Sequence, residues 1–104
     1  KAMEMVLSGD LISANEAKEF GLVSNIYPTD LLLNKTLELA ERIASKSLPV
    51  LIMAKEAVSR SYEVSLEEGM KNERGLFRAT FSLMDRKEGM KAFLEKRNAK
   101  FKNK

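Results

Sequence analysis

The chain has 104 residues, of which 44% are hydrophobic and 32% are charged, and it contains neither cysteine nor histidine. Disulfides, cysteine nucleophiles, thiolate or imidazole metal sites and Ser-His-Asp catalysis are therefore excluded within it. Its length allows at most one domain, and it has no run of about 18 apolar residues that would cross a membrane.

The net charge of +3 is unevenly distributed along the chain. Residues 86–104 carry eight cationic and two acidic side chains, whereas residues 1–85 carry ten cationic and thirteen acidic ones. A basic tail on a slightly acidic body indicates an anionic partner near the tail. A solvated terminal face explains the charge alone equally well.

The first part of the chain carries clear helix boundaries. Gly9 is placed to stop one helix in the left-handed conformation. Ser13 and Glu16 match a capping box, in which the serine oxygen accepts the N3 amide and the glutamate reaches back. Gly21 ends the short helix that this box opens.

Residues 22–27 are rich in β-forming types and Pro28 closes them, so the pattern predicts one short strand. A single strand is not stable without a partner. Because the chain also begins at Lys1 without an initiator methionine, we expect it to be the back part of a longer protein. The strands that would pair with it would then precede it.

Two long helices are predicted next, over residues 31–45 and 49–62. Apolar residues recur on one broad face of the first, and Thr29 or Asp30 is its expected N-cap. Pro49 suits the first turn of the second helix, where a missing N–H breaks no hydrogen bond.

Acidic capping patterns open the last two predicted helices. Ser65 with Glu68 matches a second capping box, and Asp85 with Glu88 repeats the arrangement. Glu67 and Glu68 are adjacent and project about 100° apart on a helix, so a solvated face is favoured over an acid–base pair. The glycines are isolated and form no phosphate-binding loop.

The basic tail contains a candidate binding feature. On a helix, Phe93 and Lys96 are three residues apart and share a face. An aromatic ring beside a cation is suited to a nucleotide, since the ring stacks on the base and the charge pairs with phosphate. Single-stranded RNA or DNA fits the same chemistry. After Arg97 the chain is expected to fray unless Phe101 docks.

Four blocks of the sequence resemble the enoyl-CoA hydratase (crotonase) superfamily, in order and at matching spacing. They are residues 7–23 (LSGDLISANEAKEFGLV), 40–44 (AERIA), 53–58 (MAKEAV) and 85–97 (DRKEGMKAFLEKR). The last block is most similar to the mitochondrial short-chain hydratases. Ala99 departs from the pattern, because many members have proline there. The resemblance covers nearly the whole chain and implies the C-terminal part of such an enzyme.

The resemblance implies a mainly α-helical chain, with residues 1–28 as the end of the crotonase core and residues 29–104 as a C-terminal helical oligomerisation region. The parent would be a carbon–oxygen lyase that adds water to a 2-enoyl-CoA in fatty acid β-oxidation, working as a homo-oligomer (trimer or hexamer). Its location would be the mitochondrial matrix in a eukaryote or the cytoplasm in a bacterium. The family's two catalytic glutamates and its oxyanion hole lie upstream of the matched part. No residue here is assigned a catalytic role, and the isolated chain is expected to be inactive.

For this chain, the resemblance implies oligomer contacts and a share of coenzyme A binding. Phe93 and Lys96 would approach the adenosine-phosphate end of CoA, and Phe77 would line the pocket. Acyl-CoA is the substrate, no cofactor or metal is expected, and neither a membrane nor nucleic acid is an expected partner. Two alternatives stay open. One is another crotonase chemistry, such as that of a Δ3,Δ2-enoyl-CoA isomerase. The other is a helical nucleic-acid-binding module with a basic tail, which the unpaired strand argues against.

Overall fold

The computed structural model describes all 104 residues as six α-helices and one 3-10 turn, without a β-strand. The elements are α1 (Ala2–Ser8), α2 (Ala14–Glu19), α3 (Thr29–Ala44), α4 (Leu48–Arg60), α5 (Leu66–Ala79), the 3-10 turn (Thr80–Ser82) and α6 (Met84–Leu94). The predicted mainly helical class is confirmed. The chain divides into two compact units, Lys1–Ala40 and Glu41–Lys104. None of the helices combines the length and the apolar character needed to span a bilayer.

Glycines in the left-handed conformation end the two short helices of the first unit, as predicted. Gly9 has φ 72° and closes α1. Gly21 has φ 74° and ends α2 in a Schellman motif, in which the Leu22 N–H donates to the Ala17 carbonyl at 2.8 Å. Side chains with a Cβ are strained at such φ values, and glycine is not.

One of the two predicted capping boxes is complete and the other is half formed. Ser13 N–H donates to Glu16 Oε2 at 2.8 Å, and Glu16 N–H donates to Ser13 Oγ at 3.2 Å. The bond from the Ser13 main chain lowers the pKa of the Glu16 carboxyl. Ser65 Oγ accepts the Glu68 N–H at 3.4 Å. The Glu68 carboxylate does not reach back, because it pairs with Lys71 at 2.9 Å.

The predicted strand at residues 22–27 is not formed, and that part of the prediction is wrong. Leu22 and Val23 donate their N–H groups to the Ala17 carbonyl, at 2.8 and 3.2 Å, as part of the end of α2. Residues 24–28 have no regular hydrogen-bonded structure. β-forming side chains produce a strand only where a second strand supplies the ladder, and this chain contains none.

Helix α3 begins earlier than predicted, and neither Thr29 nor Asp30 is its N-cap. The Pro28 carbonyl accepts the N–H groups of Leu31 and Leu32, both at 3.0 Å. Pro28 is therefore the residue that precedes the first helical position. Its missing N–H is not needed there, whereas its carbonyl still closes the first turn.

Very little apolar surface is buried within the chain. Ala17 and Ala92 are the only buried hydrophobic residues, while twenty-six large hydrophobic side chains are exposed. On α3, Leu33 is 67% exposed and Leu37 is 50% exposed. Most of the stability of a helix comes from packing its apolar face. The apolar side chains of α3 therefore need a surface that this chain does not supply.

We expect the 104-residue chain to self-associate, because exposed apolar patches beyond a few hundred Å² drive association. Its sedimentation coefficient should rise with protein concentration. Replacing Leu33 and Leu37 with lysine should weaken the association, whereas Asn34→Lys on the same helix should not. A single species of monomer mass at high concentration would contradict this expectation.

Candidate functional site

Aromatic side chains line the apolar grooves of the second unit. Phe77 borders a groove of about 320 Å³ between α4 and α5 and is 64% exposed. Its ring meets that of Phe81 edge to face, with the centroids 5.4 Å apart. The Arg86 guanidinium carbon lies 3.9 Å from the Phe81 centroid. A second groove, of about 430 Å³, is shared by Phe77, Arg86, Met90 and Phe101.

Helix α6 ends before Lys96, so Phe93 and Lys96 do not share a helical face. Lys96 has φ 52° and occupies the left-handed position that usually suits glycine. Its N–H donates to the Phe93 carbonyl at 3.2 Å, and the Arg97 N–H donates to the Ala92 carbonyl at 3.0 Å. This Schellman closure turns the chain back along α6.

Asp85 and Glu88 do not form the predicted cap of α6. The helix is preceded by Leu83 without a side-chain cap, and Asp85 already lies in the first turn, 3% exposed. Both carboxylates are occupied by main-chain N–H groups from residues 97–104, here called the tail. The i, i+3 spacing puts the two carboxylates on one side of α6, and the tail crosses that side.

Main-chain hydrogen bonds hold the tail in place. The donors are Lys102 N–H to Asp85 Oδ1 at 2.7 Å, Asn103 N–H to Asp85 Oδ2 at 2.8 Å, and Lys100 N–H to Glu88 Oε1 at 2.8 Å. In return, the Asp85 N–H donates to the Lys104 carbonyl at 2.9 Å. The tail is therefore docked, although it has no secondary structure of its own.

Arg97 strengthens the same attachment through its side chain. Its Nη1 and Nη2 donate to the two Glu88 oxygens at 2.6 and 3.0 Å, and its Nε donates to Glu95 Oε2 at 2.6 Å. The Arg97 bond, followed by that from the Lys100 N–H, lowers the pKa of Glu88 to about 2. The same pairing raises the pKa of Arg97. Fork-shaped pairs of this kind fix geometry as well as charge.

The pKa of the Asp85 carboxyl results from opposed effects. Burial alone raises it, but the Lys102 N–H, the Ser47 hydroxyl and the N–H groups of Asn103 and Lys104 together outweigh burial, so the pKa lies below its ordinary value. The Ser47 hydroxyl acts in the same direction, although it is buried without an aligned hydrogen bond. Asp85 therefore stays ionised at neutral pH and holds the tail as an anion.

The end of the tail also caps α4. Asn103 has φ 58°, and its Oδ1 accepts the Leu48 N–H at 2.9 Å. Ser47, the residue that precedes α4, makes no side-chain capping bond. Asn103 thus replaces a local cap from a distant part of the sequence. Pro49 lies in the first turn of α4, as predicted.

The tail and α6 border an open pocket of about 530 Å³. Lys46, Gly89, Phe93, Arg97 and Phe101 are among the residues that line it. The Phe101 ring lies over Gly89, where an added Cβ would sit 3.5 Å from it, an ordinary contact distance. Phe93 is 79% exposed at the rim. Two aromatic rings and the Lys46 ammonium around one pocket fit a ligand with a planar base and phosphate.

The structure separates the three residues predicted to bind CoA. Phe93 borders the 530 Å³ pocket, whereas Phe77 borders the grooves of about 320 and 430 Å³. Lys96 lines neither the pocket nor either groove. Phe101 lines both the pocket of Phe93 and one groove of Phe77. Sequence reasoning did not assign Phe101 or Asp85 to the site. The i, i+3 spacing of Asp85 and Glu88 is visible in the sequence, but that spacing predicts a helix cap.

The adjacent glutamates of α5 serve as surface ion pairs. Lys71 Nζ contacts Glu67 at 3.0 Å and Glu68 at 2.9 Å, with all three side chains largely exposed. The pairing, with Glu68 first, raises the pKa of Lys71. This arrangement supports the solvated-face interpretation of Glu67 and Glu68.

Comparisons with known proteins give one consistent result. The family model described as enoyl-CoA hydratase/isomerase matches residues 1–104. The mitochondrial enoyl-CoA hydratase of Pongo abelii is 54% identical over 102 residues, which are 98% of this chain and 35% of that protein. The 2,3-dehydroadipyl-CoA hydratase of Escherichia coli is 46% identical over 101 residues, covering 97% of this chain and 40% of that protein.

Solved structures agree with the sequence matches. The enoyl-CoA hydratase subunit I of Geobacillus kaustophilus has a TM-score of 0.93 at 41% identity, covering 99% of this chain and 40% of that chain. The enoyl-CoA hydratase of Bacillus anthracis has a TM-score of 0.84 at 42% identity, covering 89% and 36%. The fold is thus the C-terminal helical region of a crotonase fold, as predicted. The chain belongs to the enoyl-CoA hydratase/isomerase family and spans about 35 to 40% of the length of these hydratases.

The attachment of the tail should depend on pH through Glu88. Its pKa is lowered from 4.5 to about 2 in the folded chain, so its contribution is fully present above pH 4.5 and is lost as pH falls through 2. Hydrogen–deuterium exchange should show the protection of the tail amides, relative to an unstructured peptide at the same pH, falling across that window.

Glu88→Gln should reduce the protection already at pH 7 and flatten its pH dependence. Glu63→Gln is the matched control, since the Glu63 side chain makes no hydrogen bond or ion pair and is exposed. A tail that exchanges as fast as an unstructured peptide at pH 7 would show that the attachment does not form.

Proposed function

We propose that the chain forms the C-terminal part of an enoyl-CoA hydratase, which adds water to a 2-enoyl-CoA in fatty acid β-oxidation. The chain's own roles are oligomer contact and a share of CoA binding. The observation that carries the proposal is the 54% identity, over nearly all of this chain, to a mitochondrial enoyl-CoA hydratase of which only 35% is covered. The uncovered part of that protein is where the resemblance places the catalytic carboxylates.

The exposed apolar surface supports the role in assembly. Residues 1–28 would complete the core of the parent, and residues 29–104 would pack in a homotrimer or hexamer. Leu33 and Leu37 on α3, and Phe77 on α5, all point their apolar side chains into solvent here. Surfaces of this kind are normally covered in the mature assembly.

The pocket beside the tail supports the role in CoA binding. Phe93 and Phe101 offer rings for the adenine base, and Phe77 lines a neighbouring groove. Lys96, Lys100 and Lys102 make no ion pair within the chain, whereas Arg97 is engaged by Glu88 and Glu95. Unpaired lysines close in sequence to Phe93 and Phe101 suit the phosphates of CoA, which is the carrier part of the acyl-CoA substrate.

The alternatives have less support. A Δ3,Δ2-enoyl-CoA isomerase would share this C-terminal part, and product analysis of the full-length enzyme separates the two chemistries. A nucleic-acid-binding module is not favoured, because the relatives that match the whole chain are hydratases. The mitochondrial matrix in a eukaryote, or the cytoplasm in a bacterium, stays the predicted location.

The 104-residue chain should show no hydratase activity, since it carries no candidate catalytic carboxylate pair. Absorbance loss with crotonyl-CoA should equal that of buffer, while the full-length enzyme should turn over and give the 3-hydroxyacyl-CoA. Activity that co-purifies with the chain, and that survives further purification, would contradict this assignment.

In the full-length enzyme, Lys96→Ala should raise KM for crotonyl-CoA several-fold and leave kcat little changed, because the lysine contacts carrier phosphate and not the reacting atoms. The effect should shrink as salt is added. Lys96→Gly should raise KM equally. Unlike alanine, glycine also removes about 1–2 kcal/mol of left-handed strain, so this variant should melt at a higher temperature.

Equal KM values for wild type and both variants at low salt would remove Lys96 from the site. A difference in KM between the alanine and glycine variants would indicate that backbone conformation, and not charge, is what matters at this position.

A further inference from the structure

We propose that Asp85 is a positioning residue for CoA binding, which acts through the tail and does not touch the ligand. This inference rests on the proposed function and deepens it. Asp85 holds the tail so that Phe101 lines the 530 Å³ pocket together with Phe93. Without that attachment, the pocket loses one of its two aromatic lining residues.

Geometry limits Asp85 to this indirect role. Its side chain is 3% exposed, and both of its oxygens already accept tail N–H groups, at 2.7 and 2.8 Å. Those donors, Lys102 and Asn103, flank the docked Phe101 ring on its C-terminal side. On the other side, Glu88 Oε1 accepts the Lys100 N–H at 2.8 Å. The aromatic ring is thus held by anchors immediately before and after it.

Negative charge is what this position requires. A carboxylate offers two acceptor oxygens and no donor, which matches two converging N–H groups. An asparagine has nearly the same shape, but it presents an NH₂ group to one of those donors. Asp85→Asn therefore keeps the packing and breaks at least one attachment. The tail should then detach and take the Phe101 ring with it.

The test uses the full-length hydratase and a cycle of variants. Asp85→Asn should raise KM for crotonyl-CoA about three- to tenfold, the size expected for the loss of one ordinary intramolecular hydrogen bond. The value of kcat should change by less than about twofold. Deleting residues 100–104 should raise KM at least as much. Adding Asp85→Asn to the deletion should then have no further effect, because both changes act through the same tail.

A second pair of variants removes the donor and keeps the buried carboxylate, in case Asp85→Asn impairs folding. Lys102→Pro lacks the N–H that Asp85 accepts, whereas Lys102→Ala keeps that N–H and loses the same charge. The proline variant should raise KM well above the alanine variant. Hydrogen–deuterium exchange should show a detached tail in Asp85→Asn and Lys102→Pro, but not in Lys102→Ala.

Three results would overturn the inference. One is an Asp85→Asn effect on KM that is as large in the enzyme lacking residues 100–104 as in the full-length enzyme, since Asp85 would then act on KM without the tail. Another is a detached tail with unchanged KM. The third is a fall in kcat without a change in KM.

Calorimetry with free CoA separates this inference from the function. A full-length enzyme that binds CoA but does not hydrate crotonyl-CoA would refute the hydratase assignment. The inference on Asp85 would then still be tested by the Kd of Asp85→Asn for CoA, which should rise by the same factor as was expected for KM. A wild-type enzyme that does not bind CoA would refute both.

Discussion

The second unit is organised around one buried carboxylate. Asp85 lies in the first turn of α6, where the positive end of a helix dipole favours an anion, and it accepts two N–H groups from the tail. A buried carboxylate is stable only when its oxygens are paired. The tail supplies that pairing, and in turn the carboxylate is one of the groups that fix the tail, together with Glu88. The buried carboxylate would be unfavourable without the tail, and the tail would lose two of its hydrogen bonds without the carboxylate.

The boundaries of the helices were the most predictable part of the structure. Gly9 and Gly21 end helices because glycine adopts the left-handed conformation, and Pro49 lies in a first turn because its missing N–H is not needed there. These effects act within one turn of the chain. The Ser13 box formed for the same reason. Thr29 failed as a cap because the carbonyl of the preceding proline already serves the first turn, and a sequence pattern does not reveal that competition.

The segments that sequence did not predict depend on contacts far along the chain. The β-forming residues 22–27 lack a second strand and stay irregular. Asp85 and Glu88 have the spacing of a helix cap, yet their partners are amides 12 to 18 residues away. Phe101 could be proposed to dock, but the pocket that it shares with Phe93 follows from the path of the tail. The site was therefore only partly predictable: Phe77 and Phe93 stay predictions, and the anchors of the tail were misassigned to a helix cap.

The Asn103 bond to Leu48 joins residues that are 55 positions apart, and this separation has a consequence for biosynthesis. At 5 to 20 residues per second, a ribosome takes about 3 to 11 s to make the intervening chain. During that interval the start of α4 has no side-chain partner for its free amide, and its apolar face lacks the neighbours that follow. The nascent segment would then be open to chaperones or to a neighbouring nascent chain, and its helix start would become fixed only when the tail emerges.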